Sequence, residues 1–436
     1  MTDAARIPRG VWGIYVAAVA VYFIAVVHRT ALGVAGVEAL DRFHIQATGL
    51  ALLSVTQVAA YMLLQIPAGQ LLDRFGPRTM MTVGSLVMAG GQALLAFSDQ
   101  YWLAIGARIM IGAGDAPIFL SAGRLVAHWF PARRVPVFMQ VTGLIGQAGQ
   151  LATAIPVAWM LHNNGWSAVF ASLAGLGVVG AAIAFGKVRM PRPEPGSVTE
   201  QRERFWTSIR AATTHVGTHL GFWTHFLPPF SANVIALLWG IPFFVTAQGL
   251  SPAEASALLI VLTVSAMVSG PIAGVLTGRH PLRRTWIVLA SAFATALAWV
   301  VLLSFDTPRP WWQLAVFCVV IGTGGPISLV GMDFARTFSP AERLGTASGF
   351  VNMGGFSSTI VGVLLVGVVL QLVSPPGATT YTLNEYRVAF ASLAIVWIVG
   401  LVGVLRNRRL TRAVMAESGV VVPSLREVLR RHRAGD

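Results

Sequence analysis

The sequence predicts an all-α polytopic membrane protein, with twelve transmembrane helices arranged as two pseudo-symmetric six-helix bundles. Three observations predict this fold. Of 436 residues, 55% are hydrophobic and 11% are charged, and the mean hydropathy of +0.69 is too high for a soluble globule of this size. Twelve apolar runs are each long enough to cross a hydrocarbon core of about 30 Å. Two short patterns of the first half also recur in the second half.

The apolar runs follow one another with short polar connections and one longer connection in the middle. The predicted spans are 11–36, 46–72, 79–97, 102–129, 136–162, 167–187, 220–247, 252–276, 285–304, 311–335, 344–372 and 387–405. They divide the chain into an N-terminal bundle (1–187), a cytoplasmic linker (188–219), a C-terminal bundle (220–406) and a basic cytoplasmic tail (407–436). The first run is too long for a cleaved signal and is expected to span the membrane.

The distribution of basic residues predicts the orientation. The net charge of +14 by itself suggests a nucleic-acid partner. However, 25 of the 31 lysines and arginines lie in the N-terminus, the even-numbered loops and the C-terminal tail. This bias predicts a multi-pass protein of the cell membrane with both termini in the cytoplasm, surrounded by the lipid bilayer, with no nucleic-acid partner. We expect a monomer.

A polar turn between the second and third spans organises the chain. It reads Gly69-x-Leu-x-Asp73-Arg74-x-Gly76-x-Arg78. This spacing resembles the signature loop of the major facilitator superfamily. Glycines allow close backbone approach, and Asp73 can face a neighbouring helix N-terminus. The resemblance implies two six-helix halves that transport by alternating access, with this loop as a gate.

The signature has a second copy, as expected for duplicated halves. Gly274-x-Leu-x-Gly278-Arg279 follows the first copy by 205 residues, and Pro340 to Arg343 follow Pro131 to Arg134 by 209 residues. Because Gly278 replaces the aspartate, the first-half gate is expected to be the better latched. The same alignment matches Arg124 with Asp333. We expect Arg124 to pair with Asp73, and the partner of Asp333 to be Arg279, Arg283 or Arg336.

Four ionisable residues lie inside predicted spans. His28 and Arg29 belong to the first span, and Arg108 and Asp115 lie seven residues apart on one face of the fourth. Two arginines, a histidine and one carboxylate leave a net positive cavity, which favours an anionic solute. The alternative is structural: Arg108 and Asp115 neutralise each other, and Arg29 extends outward to water.

A longer stretch is similar to one branch of the superfamily. Asp115-Ala-Pro through His128-Trp-Phe-Pro-Ala-Arg-Arg134, with Gly165-Trp166, resembles the anion:cation symporter family. The resemblance implies that Arg29 binds the substrate carboxylate and Asp115 carries a proton. It also implies that Arg108 tunes that carboxyl group, and that Tyr61 contacts substrate. Gln147 and Asn352 are further expected hydroxyl-binding positions.

His28 departs from that family, which commonly has an acidic residue at this position. Either Asp115 alone couples the proton, or His28 titrates in the place of the missing carboxylate. A third interpretation makes His28 a helix-packing residue.

The sequence therefore predicts a secondary active transporter, a proton-coupled symporter of a small organic anion such as a monocarboxylate or a sugar acid. A drug-efflux antiporter is the alternative, although the fifth span lacks the Gly-Pro of those proteins, and a non-transporting sensor is another. An enzyme is not expected. No cofactor is expected either, because Gly322 to Gly325 lie in an apolar helix rather than in a nucleotide-binding turn. The single cysteine, Cys318, provides no metal site.

Overall fold

The computed structural model describes residues 8–45, 47–190, 205–375 and 380–420, and the regular structure in these ranges is helical. Residues 191–204 of the expected central connection lie outside the described residues, and so does the tail from residue 421 onward, where the sequence predicts a capping box at Ser424 and Glu427.

Six helices form the first half of the described chain, and one short helix follows the central connection. They are α1 (Arg9–Val34), α2 (Gly36–Arg42), α3 (Ala47–Leu63), α4 (Gln65–Phe97), α5 (Tyr101–Trp129), α6 (Val135–Lys187) and α7 (Phe205–Thr214).

The second half contains eleven α-helices, two π-helical segments and one 3-10 turn. They are α8 (Val216–Phe226), α9 (Phe230–Val234), the π segment Ile235–Trp239, α10 (Gly240–Pro242), the π segment Phe243–Ala247, α11 (Pro252–Arg279), α12 (Thr285–Leu303), α13 (Trp311–Gly322), α14 (Gly324–Ser328), α15 (Val330–Phe338), the 3-10 turn Ala341–Arg343, α16 (Leu344–Val373), α17 (Leu383–Ala391) and α18 (Leu393–Glu417).

Two positive-φ glycines explain how these helices provide twelve crossings. Ten helical stretches of the described chain are long and apolar enough to span a bilayer. The second crossing consists of α3 and the start of α4, which breaks at Gly76 (φ 76°). The fifth is the first part of α6, which breaks at Gly165 (φ 76°). Only glycine adopts this backbone conformation without strain, so each break separates two antiparallel crossings.

The twelve crossings place the beginning of α1 and the end of α18 on the same side of the membrane, here named the terminal side. Tyr15 of α1 donates to the carbonyl of Phe138 in α6 (3.2 Å). Thr411 of α18 donates to the carbonyl of Val216 in α8 (3.4 Å). These bonds join the first and last helices to neighbouring helices of their bundles. The last helix continues to Glu417, well beyond its apolar run, because its final turns are basic and lie outside the hydrocarbon.

Candidate functional site

An ion pair joins α1 and α5 inside the N-terminal bundle. The Nε of Arg29 donates to Oδ2 of Asp115 (2.6 Å), and the Asp115 side chain is completely buried, whereas that of Arg29 is 26% exposed. Among the described residues, neither Oδ1 of Asp115 nor Nη2 of Arg29 has a hydrogen-bond partner. The pair is therefore half satisfied, with one acceptor and one donor left for a ligand or water.

Tyr61 extends this pair toward the other half of the molecule. The Arg29 guanidinium carbon lies 4.8 Å from the centroid of the Tyr61 ring, a cation-π contact. Asn352 of α16 donates to the Tyr61 hydroxyl (3.1 Å) and to Oε1 of Gln65 (2.8 Å). Three of the predicted site residues and Asp115 thus form one connected cluster that contains side chains of both bundles.

The expected role of Arg108 beside Asp115 is not supported by the geometry. Its Nε donates to the carbonyl of Leu53 in α3 (3.3 Å), and its Nη1 is buried without a partner in the described chain. The spacing correctly places Arg108 and Asp115 on one helix face, but two turns of helix separate them by about 10 Å. Arg29 of the neighbouring helix is closer and takes the carboxylate.

His28 faces away from the cluster. Its ring is fully buried against Gly177 of α6, and neither ring nitrogen has a partner among the described residues. Its backbone carbonyl accepts a hydrogen bond from Gln92 of α4 (3.2 Å). Consecutive residues of a helix point about 100° apart, so His28 and Arg29 serve different surfaces. The packing interpretation fits this placement better than a role beside Asp115.

Gln147 lies on the face of α6 that contacts the C-terminal bundle. It follows Gln140 and Gly143 at helical spacing, and Gln140 donates to the carbonyl of Pro326 in the other half (2.7 Å). The side-chain oxygen of Gln147 is buried and unpartnered in the described part of the chain. Gln147 therefore faces the same interface as Asn352, but in the described chain its side-chain oxygen makes no hydrogen bond to the cluster.

Asp73 joins the two halves at the terminal side. Its carboxylate accepts hydrogen bonds from the backbone amides of Gly345 (2.7 Å) and Thr346 (2.8 Å), in the first turn of α16. Arg124 of α5 donates to the same carboxylate, as predicted. A carboxylate at a helix N-terminus satisfies free amides and interacts favourably with the helix dipole. The expectation that Asp73 faces a helix N-terminus is confirmed.

The backbones of the two halves touch beside this carboxylate. A Cβ atom at Gly69 would overlap the carbonyl of Gly345, and one at Gly349 would overlap the carbonyl of Gln65. Glycine is therefore required on both helices for this approach.

The two arginines of the signature loop contact aromatic rings. Arg74 and Arg78 stack on Phe75 and Phe185, with guanidinium-to-centroid distances of 5.5 and 4.3 Å.

The pseudo-symmetric contact in the second half is built differently. Gly278, which stands in the place of Asp73, lies against the carbonyl of Arg133, and Gly274 lies against Pro136 and Val137. By the 209-residue offset, Pro136 corresponds to Gly345. Because proline has no backbone N–H, this copy lacks both the carboxylate and one of the amides that Asp73 binds. In the described chain this contact consists of close packing around Gly274 and Gly278, and Gly274 also meets the Gln140 side chain.

The surroundings of Asp333 differ in part from the prediction. Arg336 donates to Oδ1 of Asp333 through Nε (3.0 Å) and Nη2 (2.6 Å), as one of the predicted alternatives has it. The second partner is Arg284, which donates to Oδ2 and was not predicted. In the described chain, neither Arg279 nor Arg283 forms an ion pair with Asp333. All three paired side chains belong to the C-terminal bundle, so Asp333 does not bridge the halves.

Sequence reasoning missed Gln65 and Thr346. The Nε2 of Gln65 lies within hydrogen-bond distance of the carbonyls of Tyr61 (3.3 Å) and Ala116 (3.4 Å), and its Oε1 accepts from Asn352. The Thr346 hydroxyl lies between Oε1 of Gln70 (2.7 Å) and Oδ2 of Asp73 (2.8 Å). Gln65 follows Tyr61 by one helical turn, and that spacing was the available signal.

Comparison with known proteins decides the family. A family model described as Major Facilitator Superfamily matches residues 18–363 and 222–433. The chain belongs to the major facilitator superfamily. It is similar to the probable galactarate/D-glucarate transporter GudP of Escherichia coli (strain K12), at 23% identity over 78% of this chain and 83% of that protein. It is also similar to GudP of Pseudomonas putida, at 23% identity over 92% and 94%.

Further similarities agree with this assignment. The probable L-galactonate transporter of Escherichia coli (strain K12) is 29% identical over 46% of this chain and 48% of that protein. A crystal structure of FucP, a transporter of the same superfamily in the outward conformation, has a TM-score of 0.63 at 14% identity and covers 91% of this chain and 99% of that one. The chain is therefore a multi-pass membrane transporter of the major facilitator superfamily, and not an enzyme.

Proposed function

We propose that the protein is a proton-coupled symporter that carries a small organic anion, with the carboxylate of a sugar acid as the group that it recognises. The observation that carries the proposal is the half-satisfied ion pair between Arg29 and Asp115. In this mechanism the substrate carboxylate and the carboxylate of Asp115 are alternative partners of the Arg29 guanidinium.

Proton coupling follows from charge balance at this pair. A proton on Asp115 removes its negative charge and leaves the Arg29 cation without a partner in a largely buried site. Uncompensated buried charge is costly, so an incoming carboxylate binds best to the protonated form. After the proton leaves, the ion pair between Asp115 and Arg29 forms again and the substrate is released. By this linkage proton and substrate each strengthen the binding of the other.

In this proposal, protonation of Asp115 frees Arg29, rather than Arg108, from its ion pair. The 2.6 Å contact between Arg29 and Asp115 supports that assignment. Arg108 is engaged with the carbonyl of Leu53 and keeps a free Nη1, so we assign it to the electrostatics of the cavity rather than to direct proton exchange.

Contacts from both halves allow the substrate to be linked to the conformational change. The Nη2 of Arg29 is free for a carboxylate, and Arg29 stacks on Tyr61, whose hydroxyl accepts from Asn352 of the other half. We assign Tyr61, Asn352 and Gln147 to the hydroxyl groups of the substrate. Replacing a hydrogen bond between the halves by bonds to a substrate would couple binding to rocking of the bundles.

The substrate class follows from the charge of the cluster and from the relatives. One arginine of the cluster is available for one carboxylate, and its amide and phenol groups suit hydroxyls. The similar proteins bear the names of galactarate, D-glucarate and L-galactonate transporters. A sugar acid is therefore the favoured substrate, and a monocarboxylate such as galactonate matches the single arginine better than the dicarboxylates galactarate and D-glucarate do.

We further propose that the terminal side faces the cytoplasm of the cell, because it carries most of the basic residues. Labelling a single cysteine placed at Ser418, in a Cys318→Ser background, with a membrane-impermeant maleimide tests this. Labelling only after the cells are permeabilised is expected. Labelling of intact cells would reverse the orientation.

Uptake by purified protein in liposomes tests the function. A pH-sensitive dye inside the liposomes reports proton entry when L-galactonate, D-glucarate or galactarate is added outside under an inward proton gradient. We expect one of these anions to move protons inward, and Arg29→Ala to abolish the signal. Arg42→Ala, which removes an arginine paired with the exposed Asp99, is the matched control and should leave transport intact.

A different result would redirect the assignment. If none of these anions moved protons while lipophilic cations or neutral drugs did, the protein would be an efflux antiporter. If no solute moved at all while cells still responded to the anion, a sensor would be the better description.

A further inference from the structure

A second polar site is lined by residues of the C-terminal bundle and is distinct from the cluster around Arg29 and Asp115. It is a cavity of about 370 Å³ at the terminal side. Its walls come from the start of α8, the turn before α12, the end of α15 and the last turns of α18. Four arginines line it: Arg284, Arg336, Arg408 and Arg412. We name it the arginine pocket.

The charge of the arginine pocket is not neutralised by the described residues that surround it. Asp333 accepts from both Arg284 and Arg336, and among the described residues it is the one carboxylate that pairs with any of the four arginines. Arg408 stacks on Trp286, with 4.5 Å from its guanidinium carbon to a ring centroid, and its Nε is buried without a hydrogen-bond partner among the described residues. The pocket therefore carries an excess of guanidinium charge, some of it removed from water.

We propose that the arginine pocket binds the phosphate group of an anionic phospholipid. Guanidinium groups bind phosphate oxygens through paired, charge-assisted hydrogen bonds, and basic pockets between spanning helices suit acidic headgroups. A phosphate here would contact Arg408 and Arg412 and compensate the charge that Asp333 leaves unpaired.

The position of the pocket favours a lipid over a soluble phosphate compound. Along α18 the apolar run ends near Leu405, and the pocket begins at Arg408, so it lies at headgroup depth. Directly toward the membrane centre, the side chains of Trp286, Phe293 and Val402 are 42%, 54% and 56% exposed. These apolar side chains offer a surface on which acyl chains can lie.

The pocket also touches the region that closes the terminal side. Arg336 lines both the arginine pocket and the small space between the two halves, where Asp333 is its partner. A bound phosphate would compete with Asp333 for this arginine. Anionic lipid is thus expected to change the rate of transport as well as to bind.

Native mass spectrometry of the delipidated full-length protein tests the binding directly. The probes are phosphatidylglycerol and phosphatidylcholine, added at equal concentrations. We expect one phosphatidylglycerol to bind preferentially, and the variant Arg408→Gln/Arg412→Gln to bind it about 25-fold more weakly, from roughly a fivefold loss for each arginine. The matched control is Arg406→Gln/Arg409→Gln, which removes two exposed arginines of the same helix that do not line the cavity.

The control variant should stay within about twofold of the wild type, as expected for exposed charges. Arg408→Lys/Arg412→Lys keeps the charge but loses the paired guanidinium hydrogen bonds, so it should bind more tightly than the glutamine variant and more weakly than the wild type, which separates loss of the site from loss of folding. Equal weakening in both glutamine variants, or no weakening in either, would overturn the site. If inorganic phosphate or glycerol phosphate displaced the lipid at equal concentration, the pocket would be a site for a soluble anion and the lipid assignment would be wrong.

Discussion

Two buried carboxylates of the N-terminal bundle, Asp73 and Asp115, are each paired with one arginine and yet have different surroundings. Asp73 accepts from Arg124, from two backbone amides and from the Thr346 hydroxyl, so both of its oxygens are satisfied. Asp115 accepts from Arg29 alone, and its Oδ1 has no partner in the described chain. The comparison suggests that a fully satisfied carboxylate holds two helices together, whereas a half-satisfied one can exchange its partner.

The largest difference is expected when each carboxylate loses its charge. Asp115→Asn resembles the protonated residue permanently, so it should still bind the anion and exchange it in counterflow across liposomes. Gradient-driven accumulation should fall to simple equilibration, because no proton moves with the substrate. Uptake with and without a proton gradient measures this. If the variant still accumulated substrate against its gradient, Asp115 would not be the coupling residue.

Asp73→Asn should act on the conformational equilibrium instead. The amide cannot accept from all of the donors that Asp73 binds, and Arg124 loses its buried partner. We expect the free energy of the open state of the terminal side to fall by about 3 kcal/mol relative to the closed state, which raises the population of the open state about a hundredfold. The labelling rate of Ser348→Cys, a position between the halves, measures this in a Cys318→Ser background.

The control for that substitution is Asp99→Asn, which removes the exposed partner of Arg42 on the opposite side of the membrane. Its effect should stay below about 0.5 kcal/mol, because exposed ion pairs contribute little. Equal labelling rates for the two variants would mean that Asp73 does not latch the halves.

Gly69→Ala separates the close backbone approach from the carboxylate. The added methyl group would overlap the carbonyl of Gly345. The closed state of the terminal side should therefore lose about 2 kcal/mol of stability relative to the open state. Gly106→Ala is the matched control, because a Cβ there meets nothing within 4 Å. The same Ser348→Cys labelling applies. If Gly69→Ala left the labelling rate unchanged, hydrogen bonds rather than packing would close this side.

Thr346→Val should have the smallest effect. It removes the hydroxyl that lies between Gln70 and Asp73 but leaves the two backbone amides in place. The closed state of the terminal side should lose about 1 kcal/mol of stability, as expected for one such hydrogen bond. Labelling of Ser348→Cys should therefore become about fivefold faster. An effect as large as that of Asp73→Asn would make the hydroxyl, rather than the amides, the main partner of the carboxylate.

The two copies of the signature also differ in how they hold the halves together. At the first copy, Asp73 meets amides of α16, and at the second, Gly278 meets a carbonyl next to Pro136. The exchange of aspartate for glycine is visible in the sequence. The matching loss of an amide donor at Pro136 becomes visible only once the two helices are seen in contact.

Much of the fold could be predicted from the sequence because apolar length, loop charge and glycine spacing act locally. The signature and the repeat predicted Arg124 as the partner of Asp73, and Arg336 was one of three predicted partners of Asp333. The partner of Asp115 was not, because the nearest arginine in the sequence, Arg108, is two turns away, whereas Arg29 comes from another helix. Helix rotation separates His28 from Arg29, and a one-dimensional pattern does not fix that rotation.

Proton uptake on binding tests the central claim most directly. Purified protein in a weakly buffered detergent solution with a pH indicator is mixed with whichever anion the liposome assay identifies. The account predicts about one proton taken up per anion bound by the wild type and by Asp73→Asn, and none by Asp115→Asn, which should still bind. Binding by the wild type without proton uptake, or the same uptake by Asp115→Asn, would contradict the exchange of partners at Arg29.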